Sequence, residues 1–247
     1  MANREKLTIV ADDAALARVV TNLVIGEAQV ALNARGRFDL ALAGGTTPKA
    51  AYAMLAEEHR TTLDWSRVRF FFGDERCVPP DSTESNYRTA HDALLGPLDI
   101  AGARVFRMRG EDQPAAAAAA YAQVLRHELT GDAAGTPTFD LVLLGMGPDG
   151  HTASLFPGED PRVGDDDLVR APYVAKFATH RLTLTPRVID AARVVAIATA
   201  GDAKSDALHA VFDGPSDPAT YPIAILAPAS GDLRWFVDRA AAAKLAR

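Results

Sequence analysis

The residues best equipped for chemistry are Asp149 and His151, which share the run Gly145-Met146-Gly147-Pro148-Asp149-Gly150-His151. An imidazole changes charge near neutral pH and so can take up and return a proton during a reaction. The three glycines allow the backbone to turn sharply and approach a ligand closely, and Pro148 fixes one further φ. A lone histidine near a strand end is more often structural. Here the glycine-rich loop has little structural need for Asp-Gly-His, and Thr152-Ala153-Ser154 suit a helix start whose free N–H groups face the same point.

Three further places carry polar groups suited to an anion. Gly44-Gly45-Thr46-Thr47-Pro48 follows an apolar run, with Thr47 expected as N-cap and Pro48 as first helical residue. Backbone N–H groups in such a turn make a seat for phosphate. The pattern lacks the lysine of a P-loop and the spacing of a dinucleotide fingerprint, so no nucleotide is implied. Arg76, at the end of Asp74-Glu75-Arg76, can grip a phosphate or carboxylate with its planar fork, although three adjacent charges also suit a solvated turn. Lys204 is a cation expected in a first helical turn, where it opposes the dipole unless an anion lies between them. The acidic run Gly164 to Asp167 has no metal-ligand spacing and no nearby histidine, so a solvated surface turn is expected and no metal.

These residues need elements to hold them. Phe139 to Leu144 is an apolar run bounded by Pro137 and Gly145, which predicts a strand buried on both faces, with the Asp149–His151 loop at its carboxyl end. Strands are also expected at Leu7–Ala11, Phe38–Ala43, Val68–Phe72, Arg104–Met108, Tyr173–Phe177, Arg181–Thr185, Arg193–Thr199, Ile223–Leu226 and Leu233–Val237. Helices are expected from Asp12 or Asp13 to Ala34, after Pro48, from Ser85 to about Leu95, from Pro114 to Leu129, from Pro186, from Ser205 to Val211, and after Asp238, with a turn at Pro228–Gly231. The alternation predicts an α/β fold: one Rossmann-like, doubly wound and largely parallel sheet with flanking helices, residues 1–247 forming a single domain. In such sheets ligands bind beyond the carboxyl ends of the strands, where the glycine turns and charged strand ends gather.

Composition narrows the function classes. A chain of 247 residues with 48% hydrophobic and 23% charged residues is that of an ordinary globular domain. A net charge of −6 argues against nucleic acid as partner, while leaving room for a local basic pocket. The single cysteine, Cys77, cannot form an internal disulfide, which suits a reducing compartment. The start lacks a signal-peptide core, and no uninterrupted apolar run is long enough to span a bilayer. A cytoplasmic protein with no membrane partner is expected. Oligomeric state is not legible, and a monomer is the default.

Several of these stretches, in order along nearly the whole chain, resemble 6-phosphogluconolactonases: Gly44 to Pro48, Asp74-Glu75-Arg76 with Ser85-Asn86-Tyr87-Arg88, Gly145 to Gly158, Arg181 to Thr185, and Gly201-Asp202-Ala203-Lys204. The resemblance implies a cofactor-free Rossmann-like fold shared with glucosamine-6-phosphate deaminases and ribose-5-phosphate isomerases. It also implies a small sugar-phosphate substrate, 6-phosphogluconolactone, hydrolysed to 6-phosphogluconate in the oxidative pentose phosphate pathway. His151 is then the expected general base. Asp149 either orients the imidazole or binds sugar hydroxyls, and N–H groups of the Gly145–Gly150 turn are candidate oxyanion donors. Gly44, Gly45 and Thr46, with Arg76, Arg181 and Lys204, are expected at the phosphate end. Asp74 joins them at the substrate, while sequence leaves open whether it or Glu75 touches the ligand or only fixes Arg76. Deaminases of the superfamily carry Glu five residues after the histidine, where this chain has Phe156. That weakens a sugar-phosphate isomerase or deaminase, which stays open as the nearest alternative because Asp74 is available as a carboxylate; a non-catalytic sugar-phosphate sensor is the further alternative, although a first strand at Leu7 leaves no room for a helix-turn-helix before it.

Overall fold

The computed structural model describes residues 4–158, 167–214, 216–228 and 232–246. Strands β1 (Leu7–Val10), β2 (Phe38–Leu42) and β3 (Val68–Phe72) alternate with helices α1 (Asp13–Arg35) and α2 (Thr46–Glu58). Next come β4 (Asp74–Arg76), α3 (Asn86–Ala90), α4 (Pro114–Glu128), β5 (Leu141–Leu144), β6 (Val169–Arg170), β7 (Tyr173–Val174) and β8 (Thr179–Leu184). The chain then forms α5 (Pro186–Asp190), β9 (Val194–Thr199), α6 (Ser205–Asp213) and β10 (Asp232–Asp238). Six strands pair in the order β1-β10-β9-β5-β2-β3, every pair parallel. The residues of β2, β5 and β9 are all buried, as expected for strands covered by helices on both faces.

The order of the strands creates the site. From β2 the chain moves outward to β3, whereas from β5 it moves the other way to β9, so the carboxyl ends of β2 and β5 flank a crevice. A second, antiparallel sheet, β4-β8-β6 with β7 on β8, closes one end of it. The junction is Gly73, which links β3 to β4: its N–H donates to the Leu42 carbonyl of the main sheet and its carbonyl accepts from Leu184 of β8.

Most boundaries follow from the local chemistry. Asp12 caps α1 by accepting from Ala15, and Gly36 ends it in the left-handed region at φ 75°. Ser85 caps α3 and Pro114 opens α4. Where sequence expectations fail, the reasons are specific. The helix after β2 starts at Thr46 with Gly45 as N-cap, not at Pro48 with Thr47: Gly45 adopts φ 106°, and Pro48 sits in the first turn, where no N–H is required. Asp74–Arg76 is a strand of the second sheet rather than a solvated turn. Arg104–Met108 pairs with β3 through the single Phe70–Val105 bridge, with Phe106 stacked on Phe71, and forms no strand of its own. Tyr173–Phe177 is a two-residue strand followed by a 3-10 turn, Ala175–Phe177. Pro222–Ile225 and Ala241–Lys244 are likewise 3-10 turns, where a strand and a terminal helix were expected, although Asp238 does accept from the Ala241 N–H. The helix beginning at Ser85 gives way after Ala90 to a π turn, His91–Leu95. No helix starts at Thr152: Thr152 and Leu155 close a tight turn instead. The acidic run, apart from Asp167, and residues 229–231 of the expected turn lie outside the described residues.

Helix α1 is long and apolar enough to cross a membrane. In this fold Leu16, Val20, Val24 and Ala28 are instead buried against the rest of the domain. Its polar face is tied down as well, through Arg18–Glu58 and Glu27–Arg234.

Candidate active site

The loop after β5 folds on itself. The Gly147 N–H donates to the His151 carbonyl at 2.8 Å, the Gly150 N–H to the Gly147 carbonyl at 3.1 Å, and the Thr152 hydroxyl to the Gly145 carbonyl at 2.8 Å. Two of the N–H groups expected as oxyanion donors, those of Gly147 and Gly150, are therefore consumed by the loop itself. The hairpin so formed brings Asp149 against His151, with Oδ1 2.5 Å from Nδ1. Asp149 Oδ2 accepts from Lys176 Nζ at 3.2 Å. Both carboxylate oxygens are thus engaged, one by the imidazole and the other by the ammonium. With Nδ1 facing a carboxylate, the neutral ring carries its proton there and keeps a free lone pair on Nε2. Phe156 stacks on the other side of the ring, centroids 4.5 Å apart and planes at 29°.

Partial burial by itself pushes the Asp149 carboxyl up. The hydrogen bond and charge of His151, with Lys176, more than offset this and bring it down to about 2. Because the folded-state value is depressed, these contacts stabilise the fold above the ordinary carboxylate range and are lost as pH falls toward 2.

The second sheet supplies two buried carboxylates with separate tasks. Glu75 accepts from the N–H groups of Arg76 (2.8 Å), Asn86 (2.7 Å) and Tyr87 (2.8 Å) and from the Ser85 hydroxyl (3.0 Å). It thus caps α3 and does not line the cleft between β2 and β5. Burial pushes its carboxyl up despite those bonds. Glu75→Gln replaces one acceptor oxygen by an NH2 that meets donors, and is expected to cost about 2 kcal/mol, read as a lower midpoint in denaturant at unchanged slope. Asp74 faces the cleft. Its Oδ2 accepts from Ser154 at 2.7 Å and its Oδ1 from Asn86 at 3.1 Å, which joins β4, α3 and the turn after His151 into one wall.

The cleft between β2 and β5 has a volume of about 230 Å³ and is lined by Gly44, Gly45, Thr46, Asp74, Arg76, His151 and Lys204 among others. Gly44 has no room for a side chain, since a Cβ there would lie 2.0 Å from Asn86 Oδ1. Helix α2 begins at the cleft without a side-chain cap, so the Thr46 and Thr47 N–H groups are available to an anion, whereas the Ser205 N–H that opens α6 already donates to the Asp202 carbonyl. Lys204 stands at the N-cap of α6, closing the 3-10 turn Asp202–Lys204. Burial lowers its affinity for a proton, and nearby Asp149 works against that.

Of the residues singled out by sequence, Asp149 and Arg181 do not line this cleft. Asp149 stands behind His151. Arg181 lies opposite Arg76 in the β4–β8 pairing and is buried, with one guanidinium nitrogen, Nη1, lacking a hydrogen-bond partner and the Phe177 ring 5.0 Å from its centre. Burial and then the charge of Arg76 lower its proton affinity. Two like charges facing each other across a ladder are unfavourable without an anion to share. Sequence missed Lys176, the stacking of Phe156, and the bonds of Asn86 and Ser154 to Asp74. Asn86 lay within a quoted motif, but Lys176 reaches Asp149 from a turn 27 residues away, with no local pattern to mark it.

Residues 11–235 match the model of the family described as glucosamine-6-phosphate isomerases/6-phosphogluconolactonase. The 6-phosphogluconolactonase of Nostoc sp. is 36% identical over 98% of this chain and 99% of its own length. That of Treponema pallidum is 43% identical over 71% of this chain and 73% of its own. The solved 6-phosphogluconolactonase of Trypanosoma brucei superposes with a TM-score of 0.87 at 30% identity, covering 98% of both chains. By the extent of the match and the shared architecture, this chain belongs to the glucosamine-6-phosphate isomerase/6-phosphogluconolactonase family.

Proposed function

We propose that the chain hydrolyses 6-phospho-D-glucono-1,5-lactone to 6-phospho-D-gluconate, the lactone-opening step of the oxidative pentose phosphate pathway. The observation that carries this reading is one cleft holding an oriented imidazole, His151 on Asp149, together with the cations Arg76 and Lys204 and the uncapped start of α2. Phosphate binds at Gly44, Gly45 and Thr46 with Arg76 and Lys204, while Arg181 contributes its charge from behind Arg76. An acidic protein thereby concentrates positive potential where a phosphorylated sugar must sit.

The chemistry follows from this placement. His151 Nε2 takes a proton from a water as its oxygen attacks C1 of the lactone, producing a tetrahedral oxyanion and an imidazolium steadied by Asp149. Collapse of that intermediate breaks the bond from C1 to the ring oxygen, and the imidazolium returns the proton to the departing oxygen. Water adds across one ester bond, so no electrons leave the substrate and no cofactor is required.

The family also contains isomerases acting on amino-sugar phosphates, which is the second reading. An aldose-to-ketose shift needs a carboxylate to carry a proton between carbons, and at position 156 this chain presents a phenyl ring stacked on His151. Asp74 faces the cleft but is committed to Ser154 and Asn86. The two readings separate in one experiment: pH-stat titration of acid released from freshly made 6-phosphogluconolactone, corrected for spontaneous opening, beside ammonia release from glucosamine 6-phosphate. Acid release with no ammonia is the expected result. Ammonia release would establish the second reading, and neither product would leave a sugar-phosphate sensor.

A further inference from the structure

Lys176 sits on the 3-10 turn Ala175–Phe177, between β7 and β8, and belongs to none of the glycine loops around the cleft. The turn is held at both sides. Phe177 lies edge-on to Phe156 with centroids 5.7 Å apart, while the Arg181 guanidinium rests 5.0 Å from the Phe177 ring centre. Ala178 then closes the turn in the left-handed region at φ 49°, its N–H donating to the Ala175 carbonyl at 3.2 Å. A non-glycine residue held there is mildly strained, so the tertiary contacts hold this turn against its local preference. Their result is a lysine ammonium 3.2 Å from Asp149 Oδ2, two hydrogen bonds from the imidazole.

We infer that Lys176 is a positioning residue that tunes His151 as a proton acceptor: it shares the Asp149 carboxylate and so weakens that carboxylate's hold on an imidazolium. The inference deepens the lactonase reading and rests on it for its kinetic consequence. Other charged groups face the pair. Lys204 lies near Asp149 from the start of α6, Asp74 and Arg76 face the same cleft from β4, and Tyr221 packs against Gly150. All of them persist when position 176 is changed, so their influence cancels in the comparison.

Lys176 is well exposed, and solvent screens its charge. For unit charges about 6–7 Å apart in a water-like medium the effect on a titration is roughly half a pH unit. In Lys176→Gln the acid limb of kcat/KM should therefore move to higher pH by about half a unit, a roughly threefold loss below neutrality with the alkaline plateau retained. Lys176→Glu should move it about twice as far, and Lys176→Arg should restore the wild-type profile. The ring signal of His151, identified among the six histidines by its absence in His151→Ala, should show the same upward displacement in an NMR titration of the whole chain. A fall in rate that is uniform across pH, with no displacement of the ring signal, would overturn the inference and leave Lys176 a purely structural tether. A displaced ring signal in a protein that releases no acid from the lactone would uphold the inference while removing the lactonase reading.

Discussion

His151→Ala is expected to lower the turnover number by about 10²–10⁴ while leaving KM within a few-fold of wild type. The size follows from losing the group proposed to take a proton from water and return it to the ring oxygen. The selectivity for kcat follows from the geometry, because the residues proposed to hold the phosphate lie on other elements: the loop after β2, Arg76 on β4 and Lys204 before α6. Arg76→Ala should show the opposite split, a raised KM with a smaller effect on turnover. Steady-state kinetics by pH-stat on both variants checks the division of labour. Wild-type turnover in His151→Ala would sink the mechanism, since Asp149 stands behind the ring, outside the lining of the cleft, and is not placed to substitute. The folding cost is small. The side chain removed is partly exposed, and its main apolar contact is one face of Phe156.

Sequence made the parallel sheet legible because its central strands are continuous apolar runs with no alternation, as in Leu141–Leu144 and Val194–Ala198, each followed within three residues by glycine. Once those runs are strands, the loops at their carboxyl ends must converge, and His151, Arg76 and Lys204 meet without any knowledge of their contacts. What stayed hidden depends on partners distant in the chain. Asp74-Glu75-Arg76 has the composition of a solvated turn, yet Glu75 is 2% exposed because Ser85, Asn86 and Tyr87 supply it with donors. Asp74 is met by Ser154, 80 positions away. A buried carboxylate can be recognised only when its donors are known, and local periodicity carries no such information. The short run Pro222–Ile225 fails for the opposite reason: four apolar residues fit a buried strand and a buried turn equally well. Lys176 combines both difficulties, a surface lysine by composition whose reach to Asp149 depends on the fold of a turn that was expected to be strand.

Gly147→Ala is expected to reduce turnover by about 10²-fold with little change in melting temperature. A Cβ on Gly147 would lie 2.0 Å from His151 Nδ1, 2.1 Å from its Cε1 and 2.7 Å from Asp149 Oδ1. The backbone does not forbid the substitution, since Gly147 is not among the glycines with positive φ. All three atoms that would be struck belong to side chains, so the fold accommodates the methyl by moving the imidazole and carboxylate rather than by unfolding. That relief displaces the ring by more than 1 Å, and a misplacement of this size costs about 10² in rate when reacting atoms must align. Neighbouring glycines supply the contrast. At Gly110 the added Cβ would meet the Arg76 carbonyl at 2.1 Å and the Val78 carbonyl at 2.9 Å, both backbone, so Gly110→Ala should lower the melting temperature. Gly102 has nothing within 4 Å and no positive φ, so Gly102→Ala should behave as wild type. Thermal unfolding and turnover measured on the three variants separate a displaced imidazole from a damaged fold. Normal turnover in Gly147→Ala would mean that the contact between Asp149 and His151 is dispensable, and with it the orientation of the base on which lactone opening depends.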